Sequence, residues 1–511
     1  VEPEVETRHG RIRGRRAAGL AIFLGVPYAR APVGDRRLRP PEPPDAWSGI
    51  RSAQEAGPAA PQNPGLVARL LGAGVDRCGE DCLYLNVWTP ACDGARRPVL
   101  VWLHGGGFTT GSGSMGVYDG SHLARRGDVV VVTLNYRLGA LGYLALSAAA
   151  DEEGGSFGNL GLRDQIEALR WVRDHIDRFG GDPGNVTLFG ESAGAMSVGT
   201  ILAAPSASGL FARAVLQSGA AGHVHDRETA ERVAETFMKE MGFASGNLAA
   251  VRGAPVASLL EAQQRTVGAL AHGGPGLAFQ PVVDGDLLPQ RPLDAVRAGV
   301  AASVPMLIGT NRDEWKLYGL TDPGLASLDL AGLLRRCARN LPGGAAAGAS
   351  RAERLVEGYR RAREGRASLA PRDLWCAIES DRHFRYPATQ LAEAHAAREP
   401  HTYAYLFTWE SPALGGVLGA CHALDVPFVF GAVAEGAVSE FVGDGPAART
   451  LTERMQDAWL AFARDGRPGH PGLGDWPAYE AGRRATMILG ERCGVEDAPQ
   501  EAERALWDAI A

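Results

Sequence analysis

Lysine is nearly missing from this chain: of its 52 basic residues only Lys239 and Lys316 are lysines, the rest being arginines. This skew reads as the coding bias of a GC-rich genome and says little about mechanism. The 59 acidic residues leave a formal net charge of −7, spread along the chain without a basic patch, which argues against a nucleic-acid partner. Long apolar runs are missing too. No stretch approaches the ~18 uninterrupted apolar residues that span a bilayer, and the first ten residues are charged from the start, unlike a signal peptide. Cysteine is sparse at seven, an odd number, so at least one thiol stands outside any intramolecular disulfide.

What is present has the balance of a globular protein. With 45% hydrophobic and 22% charged residues, composition argues against disorder, collagen and coiled coil. A length of 511 residues suggests roughly three domains, or one large α/β unit with insertions. The first 60 or so residues are rich in Gly, Pro and Arg and read as short strands and turns on the surface of a larger sheet. From Pro98 onward, apolar β-branched runs alternate with amphipathic helices, the signature of a mostly parallel sheet covered on both faces. The strands are predicted at Val99–Leu103, Val129–Leu134, Val186–Phe189, Arg213–Gln217, Met306–Ile308, Thr402–Phe407 and Ala485–Leu489. In Leu162–Arg178, Ile166, Leu169, Val172 and Ile176 recur at helical spacing. Between about residues 325 and 400 the chain turns helical and rich in Arg and Ala, with a low-complexity patch at Gly343–Ala349, and reads as an inserted lid or subdomain. No internal repeat is present.

The strongest local signal is Gly190-Glu191-Ser192-Ala193-Gly194, placed after a strand and before a helix-compatible run. Flanking glycines let the chain turn sharply there, so that the serine projects at the top of the sheet as a nucleophile. His104-Gly105-Gly106-Gly107-Phe108 follows another strand. Its uncovered N–H groups, with that of Ala193, suit an oxyanion that forms when serine attacks a carbonyl. Gly111-Ser112-Gly113-Ser114-Met115-Gly116 matches a dinucleotide-binding fingerprint in letters, but that motif should itself form the strand-to-helix turn, and here His104 to Thr110 intervene. It reads as loop.

A serine hydrolase also needs an acid and then a histidine further along. Of twelve histidines, His9, His122, His175, His223, His225, His272, His383, His395, His401 and His470 lie in polar or helical surroundings where a solvated side chain is the default. His104 reads as a buttress of the glycine run. His422, in a small-residue loop before an apolar run, is the remaining candidate base. For the acid, Asp313 and Glu314 both follow a buried strand, and spacing does not choose between them.

With Phe23-Leu24-Gly25-Val26-Pro27-Tyr28-Ala29, Glu80-Asp81-Cys82-Leu83-Tyr84-Leu85-Asn86 and Phe179-Gly180-Gly181-Asp182-Pro183, these motifs make nearly the whole chain resemble the type-B carboxylesterase and cholinesterase family of α/β-hydrolases, particularly its bacterial para-nitrobenzyl esterase-like members. The resemblance implies one catalytic α/β-hydrolase unit over 1–511 with the helical insertion at 325–400. It implies Ser192 as nucleophile, Glu314 rather than Asp313 as acid, and His422 as base. The oxyanion donors become Gly106, Gly107 and Ala193, and Glu191, Ser218 and Asp425 match positions around the histidine. Phe108, Leu277 and Leu317 are the substrate-pocket candidates. The implied activity is hydrolysis of small-molecule carboxylic esters through an acyl-enzyme, without metal or organic cofactor. The rival within the fold is a non-catalytic adhesion-type member, but such members usually lose a triad residue.

Departures from the family sharpen this reading. Ala60 stands where the usual disulfide partner of Cys82 is expected, which leaves Cys82 free or paired with Cys78 or Cys92. A zinc site from these three cysteines fits no standard ligand spacing. The missing partner favours a reducing, cytoplasmic location over secretion after removal of a signal peptide, with a monomer or weak homo-oligomer expected. No tryptophan lies between Pro61 and Cys82 to hold a quaternary ammonium against its π-face, as cholinesterases do. Pro275, Gly276 and Leu277 replace aromatics at the acyl pocket, so a broader aliphatic pocket without choline specificity is expected.

Overall fold

Short runs of Val, Ile and Leu bounded by Gly and Pro are strand-forming because their branched side chains pack on a pleated surface. In the computed structural model, which describes residues 2–65, 75, 77–146, 158–270, 277–341 and 344–510, they assemble as such. The strands are β1 (Glu4–Thr7), β2 (Gly10–Arg13), β3 (Arg15–Ala17), β4 (Leu20–Pro27), β5 (Ile50–Ser52), β6 (Tyr84–Thr89), β7 (Arg97–Leu103), β8 (Val130–Leu134), β9 (Gly181–Glu191), β10 (Arg213–Gln217), β11 (Met306–Asn311), β12 (Thr402–Phe407), β13 (Ala485–Leu489) and β14 (Gly494–Asp497).

Eleven of them form one sheet in the order β14-β13-β12-β11-β10-β9-β7-β8-β6-β4-β3. From β13 across to β8 neighbours run parallel, while β14 at one edge and β6, β4 and β3 at the other run antiparallel. The central strands β7, β8 and β10 to β12 are almost continuously buried, as a sheet covered on both faces requires. The fold is that of an α/β-hydrolase.

The expected strands are all present, with ends shifted by a few residues. The sheet starts earlier than Pro98, however. β4 and β6 belong to it, and only β1, β2 and β5 make a separate small sheet. The amphipathic run forms a helix over Leu160–His175 and continues as a 3₁₀ turn to Phe179. Gly180, at φ 80, then takes the left-handed conformation that ends it.

Several of the recognised motifs hold this sheet edge together. Asn86 accepts from the Gly25 N–H at 3.0 Å and donates to Ser114 and Thr133 hydroxyls. Glu80 accepts from Nε and one terminal nitrogen of Arg37, whose other terminal nitrogen donates to the carbonyls of Arg252 and Ala254.

The segment 325–400 is helical, with helices at Leu330–Asn340, Gly344–Arg363, Pro371–Ser380 and Tyr386–Ala396 and a π-helical turn at Asp381–Arg385. Leu333, Leu355, Tyr359, Leu374 and Ile378 share an apolar cluster of their own with Trp507. Part of the low-complexity patch lies outside the described residues. Among the described residues all seven cysteines are free, no group of side chains could hold a metal ion, and no helix is long and apolar enough to cross a membrane.

Candidate active site

In an open α/β sheet, functional groups gather beyond the carboxyl ends of the strands. Here the loops after β7, β9, β10, β11 and β12 converge there. Ser192 follows β9 directly and precedes the helix Ala193–Ile201, with φ 55 and ψ −125. A non-glycine residue in such a region costs about 1–3 kcal/mol and persists only when its surroundings impose it. They do so through the glycines. A Cβ at Gly194 would lie 2.0 Å from the Leu103 carbonyl oxygen, and one at Gly190 would lie 2.6 Å from the carbonyl carbon of Gly194. The Ser192 N–H is anchored on the Gln217 carbonyl at 2.9 Å. Ser192 is 5% exposed.

Ala193 is the first helical residue, where no preceding turn offers its N–H a carbonyl. The glycine run faces it from the end of β7. Gly106 takes φ 118, and a Cβ there would sit 2.1 Å from the Thr110 carbonyl oxygen; Gly107 takes φ 59. His104 is fully buried, stacks on Tyr136 with ring centroids 4.4 Å apart, and accepts the Tyr136 hydroxyl at its carbonyl. Burial lowers its pKa to about 4, although the Gly105 carbonyl works the other way. It is a buttress. The Gly111–Gly116 run is pinned to the end of β8, the Gly113 N–H donating to Asn135 and its carbonyl accepting from Thr133. No strand-to-helix phosphate turn forms there.

The loops after β11 and β12 bring Glu314 and His422 together. Glu314 Oε2 lies 2.6 Å from His422 Nδ1, both groups buried, while Glu314 Oε1 accepts from the Asn311 N–H at 2.7 Å. Asp313 points elsewhere. It accepts from the Ala420 N–H at 3.1 Å and pairs with Arg312 and Lys316. Burial works against its charge, yet these partners outweigh it and hold its pKa below the usual value.

The other nitrogen of His422, Nε2, faces Glu191 Oε1 at 3.0 Å. Burial disfavours the imidazolium, but Glu191 and Glu314 together overcome it and raise the pKa of His422 to about 9. Glu191 is raised to about 8, chiefly by burial, with His422 pulling it down. Asp425 lies behind, accepting from Gln217 at 2.9 Å, Tyr405 at 3.0 Å and Asn311 at 3.3 Å. Burial raises its pKa against the pull of these donors. Ser218, at φ 52, is fully buried, and its hydroxyl has no hydrogen-bond partner among the described residues.

A sequence model described as the carboxylesterase family matches residues 1–507. The chain belongs to the carboxylesterase family. This carboxylesterase is 36% identical over 503 residues to the para-nitrobenzyl esterase of Bacillus subtilis, covering 98% of this chain and 97% of that one. It is 36% identical over 499 residues to a phenmedipham hydrolase of Pseudarthrobacter oxydans, covering 96% of each. A crystal structure of a Geobacillus stearothermophilus carboxylesterase superimposes with TM-score 0.88 at 42% identity, covering 99% of both chains. As a member of this family the protein is a serine ester hydrolase acting on small-molecule esters.

Of the three pocket candidates in this carboxylesterase, Leu277 is partly exposed, with its Cδ2 3.7 Å from where a Cβ of Gly107 would be. Phe108 is fully buried with its ring edge-on to Tyr143, and Leu317 is 1% exposed in the apolar core. Pro275 and Gly276 lie outside the described residues, as does His272.

Sequence reasoning assigned His175, His225 and His395 to solvent. All three are buried, each held by a neighbouring oxygen: the Trp171 carbonyl, the Ala278 carbonyl and the Thr402 hydroxyl. It passed over Tyr318 and Phe384, whose rings flank His422 at 5.3 and 4.7 Å. Tyr318 could have been found, since it stands four residues after Glu314, one helical turn along the same face.

Proposed function

We propose that the enzyme hydrolyses carboxylic esters by a Ser192–His422–Glu314 triad through an acyl-enzyme. The observation that carries this is the buried 2.6 Å contact between Glu314 and His422 beside a serine held at positive φ. His422 accepts the Ser192 proton as the oxygen attacks the ester carbonyl, and Glu314 orients the imidazole and stabilises its charged form. The N–H groups of Gly106, Gly107 and Ala193 receive the tetrahedral oxygen. The imidazolium then protonates the departing alcohol. Water repeats the sequence on the acyl-enzyme and releases the acid. No metal or organic cofactor takes part.

Substrate preference is read as short to medium acyl chains on alkyl or aryl alcohols. Support comes from Leu277 facing the glycine run, an aliphatic wall where an aromatic one would narrow the pocket. The helices of 325–400 are read as a lid subdomain, since Phe384 in their π-helical turn packs on His422. The same chemistry extends to carbamates, lactones, thioesters and phthalate diesters, among which pocket shape decides. An ester panel varying acyl and alcohol size independently tests the preference: butyrate esters should be turned over at least as well as acetates, and acetylcholine poorly. Efficient acetylcholine turnover with rejection of butyrates would contradict it. Ser192→Ala should abolish turnover of the whole panel.

A further inference from the structure

Beside the loops that carry Glu314 and His422 lies a second cavity, of about 440 Å³. The loops after β11 and β12 wall it on one side, and the helices of 325–400 with the C-terminal helix Glu501–Asp508 wall it on the other. Neither Ser192 nor His422 borders it: Asp313 and Lys316 line it, whereas Glu314 between them turns to His422. Most of its charges are matched within the wall. Arg312 pairs with Asp313 at 3.0 Å and with Glu410 at 2.5 Å, Lys316 with Asp313 at 3.3 Å, and Arg385 with Asp381. Asp373 accepts the Ser368 hydroxyl at 2.5 Å, and Arg366 donates to the Ala362 carbonyl.

Two ions are left over. Glu503 is only 4% exposed, and its Oε2 has no hydrogen-bond partner among the described residues. The buried Nε of Arg363 is equally unmatched, and the side-chain oxygen of Gln500, on the same wall, is a third such atom. The helices that carry the two ions are held together where the Trp507 indole N–H donates to the Tyr359 hydroxyl at 2.7 Å. Arg363 stands one turn from Tyr359 and Glu503 one turn from Trp507, so both reach the cavity. They make no ion pair with each other. An unmatched buried ion is costly to fold around, which marks the pair as a place completed by something other than a side chain of this protein.

We propose that this cavity is a binding site for a free α-amino acid, distinct from the ester site. The carboxylate of the ligand accepts from Arg363, its ammonium donates to Glu503 Oε2, and Gln500 takes a further ammonium proton. A purely anionic ligand would leave Glu503 uncompensated, and a purely cationic one would leave Arg363 so; a zwitterion meets both. Because the two ions stand on neighbouring helices, the charges of the ligand must lie close together, as they do on a single α-carbon. The volume falls within the usual range for small-molecule pockets, about 300–1,000 Å³, and Ala362, Cys376 and Ala377 offer an apolar stretch of wall to a side chain.

The test is calorimetric titration of the whole protein with each common L-α-amino acid at millimolar concentration. For any that binds, the analogue without its amine and the analogue without its carboxyl group are titrated next. At least one amino acid should bind saturably, one per chain, and neither of its analogues should. Because each ion supplies a charge-assisted hydrogen bond, Glu503→Gln and Arg363→Gln should each weaken binding by about 10- to 150-fold, and Arg363→Lys, which keeps the charge, should weaken it less. A single cooperative unfolding transition shows that each variant is folded; should Glu503→Gln fail in this, Arg363→Gln, on the partly exposed side of the wall, carries the test. Saturable binding by no amino acid, equally tight binding of either analogue, or binding that survives the loss of either charge overturns the proposal.

Discussion

Replacing Glu191 by Gln perturbs His422, the proposed base, through charge alone, which makes its outcome calculable. Glu191 Oε1 lies 3.0 Å from His422 Nε2. At an effective dielectric of about 20, a full carboxylate at that distance attracts the imidazolium by about 5.5 kcal/mol, or about 4 pH units. That is a ceiling. The Glu191 pKa is itself raised to about 8, so charging both groups carries a desolvation cost and the pair titrates jointly. A net shift of about 1–3 units remains, the usual effect of an adjacent opposite charge. The sign follows from the role proposed for His422. As a base it must be neutral, and Glu191 favours its charged form, so removing the carboxylate lets His422 become neutral at lower pH. The acid limb of kcat/KM for Glu191→Gln should therefore move down by about 1–3 units relative to the unaltered enzyme. Measuring kcat/KM between about pH 5 and pH 9 with one ester checks this. An acid limb that stays in place, or moves to higher pH, refutes the electrostatic account.

Three further outcomes follow from the same geometry. Glu314→Gln should lower kcat by about 10⁴-fold, as amide replacement of a triad acid does, whereas Asp313→Asn should stay within about tenfold and cost about 1–3 kcal/mol of stability through its lost anchoring of Ala420 and Lys316; steady-state kinetics and urea unfolding of both variants decide. Gly106→Ala should drive the glycine run off the Thr110 carbonyl and lower kcat by about 10²–10³-fold, the usual cost of a lost oxyanion donor; near-normal turnover would show that this glycine does not shape the site. Asp164 is fully buried and takes three hydrogen bonds from Arg137, so Asp164→Ala should cost about 3–5 kcal/mol by leaving a buried cation unpaired, and a loss below about 1 kcal/mol in denaturant unfolding would contradict that.

The parts of this molecule that were legible in its sequence are those governed by local rules. The strand-turn-helix around Ser192 announces itself because only glycine fits beside Leu103 and within the turn. β6 escaped notice as a strand because Tyr84–Thr89 mixes polar and apolar residues. Its Asn86 and Thr89 are buried nonetheless, bonded to Thr133 and to the Phe179 carbonyl, and that satisfaction is visible only in three dimensions. The choice between Asp313 and Glu314 was settled in the sequence by family resemblance and not by spacing. Physically it depends on which carboxylate the turn after β11 aims at His422, and backbone pairing of Asp313 with Ala420 fixes that. The buried histidines misled for a related reason, since a single carbonyl is enough to hold an imidazole in the core. Tyr318 and Phe384 carry no motif at all, and their packing on His422 emerges only once the loop after β11, the helical insertion and the loop after β12 are brought together.

The central claim is that Ser192 is the nucleophile activated by His422. Intact and peptide mass spectrometry of the protein after treatment with a fluorophosphonate tests it most directly. One phosphonyl group per chain should appear on Ser192, ester hydrolysis should disappear in step with labelling, and neither Ser192→Ala nor the unfolded protein should be labelled. Labelling at another residue, or full hydrolysis by Ser192→Ala, would contradict the account.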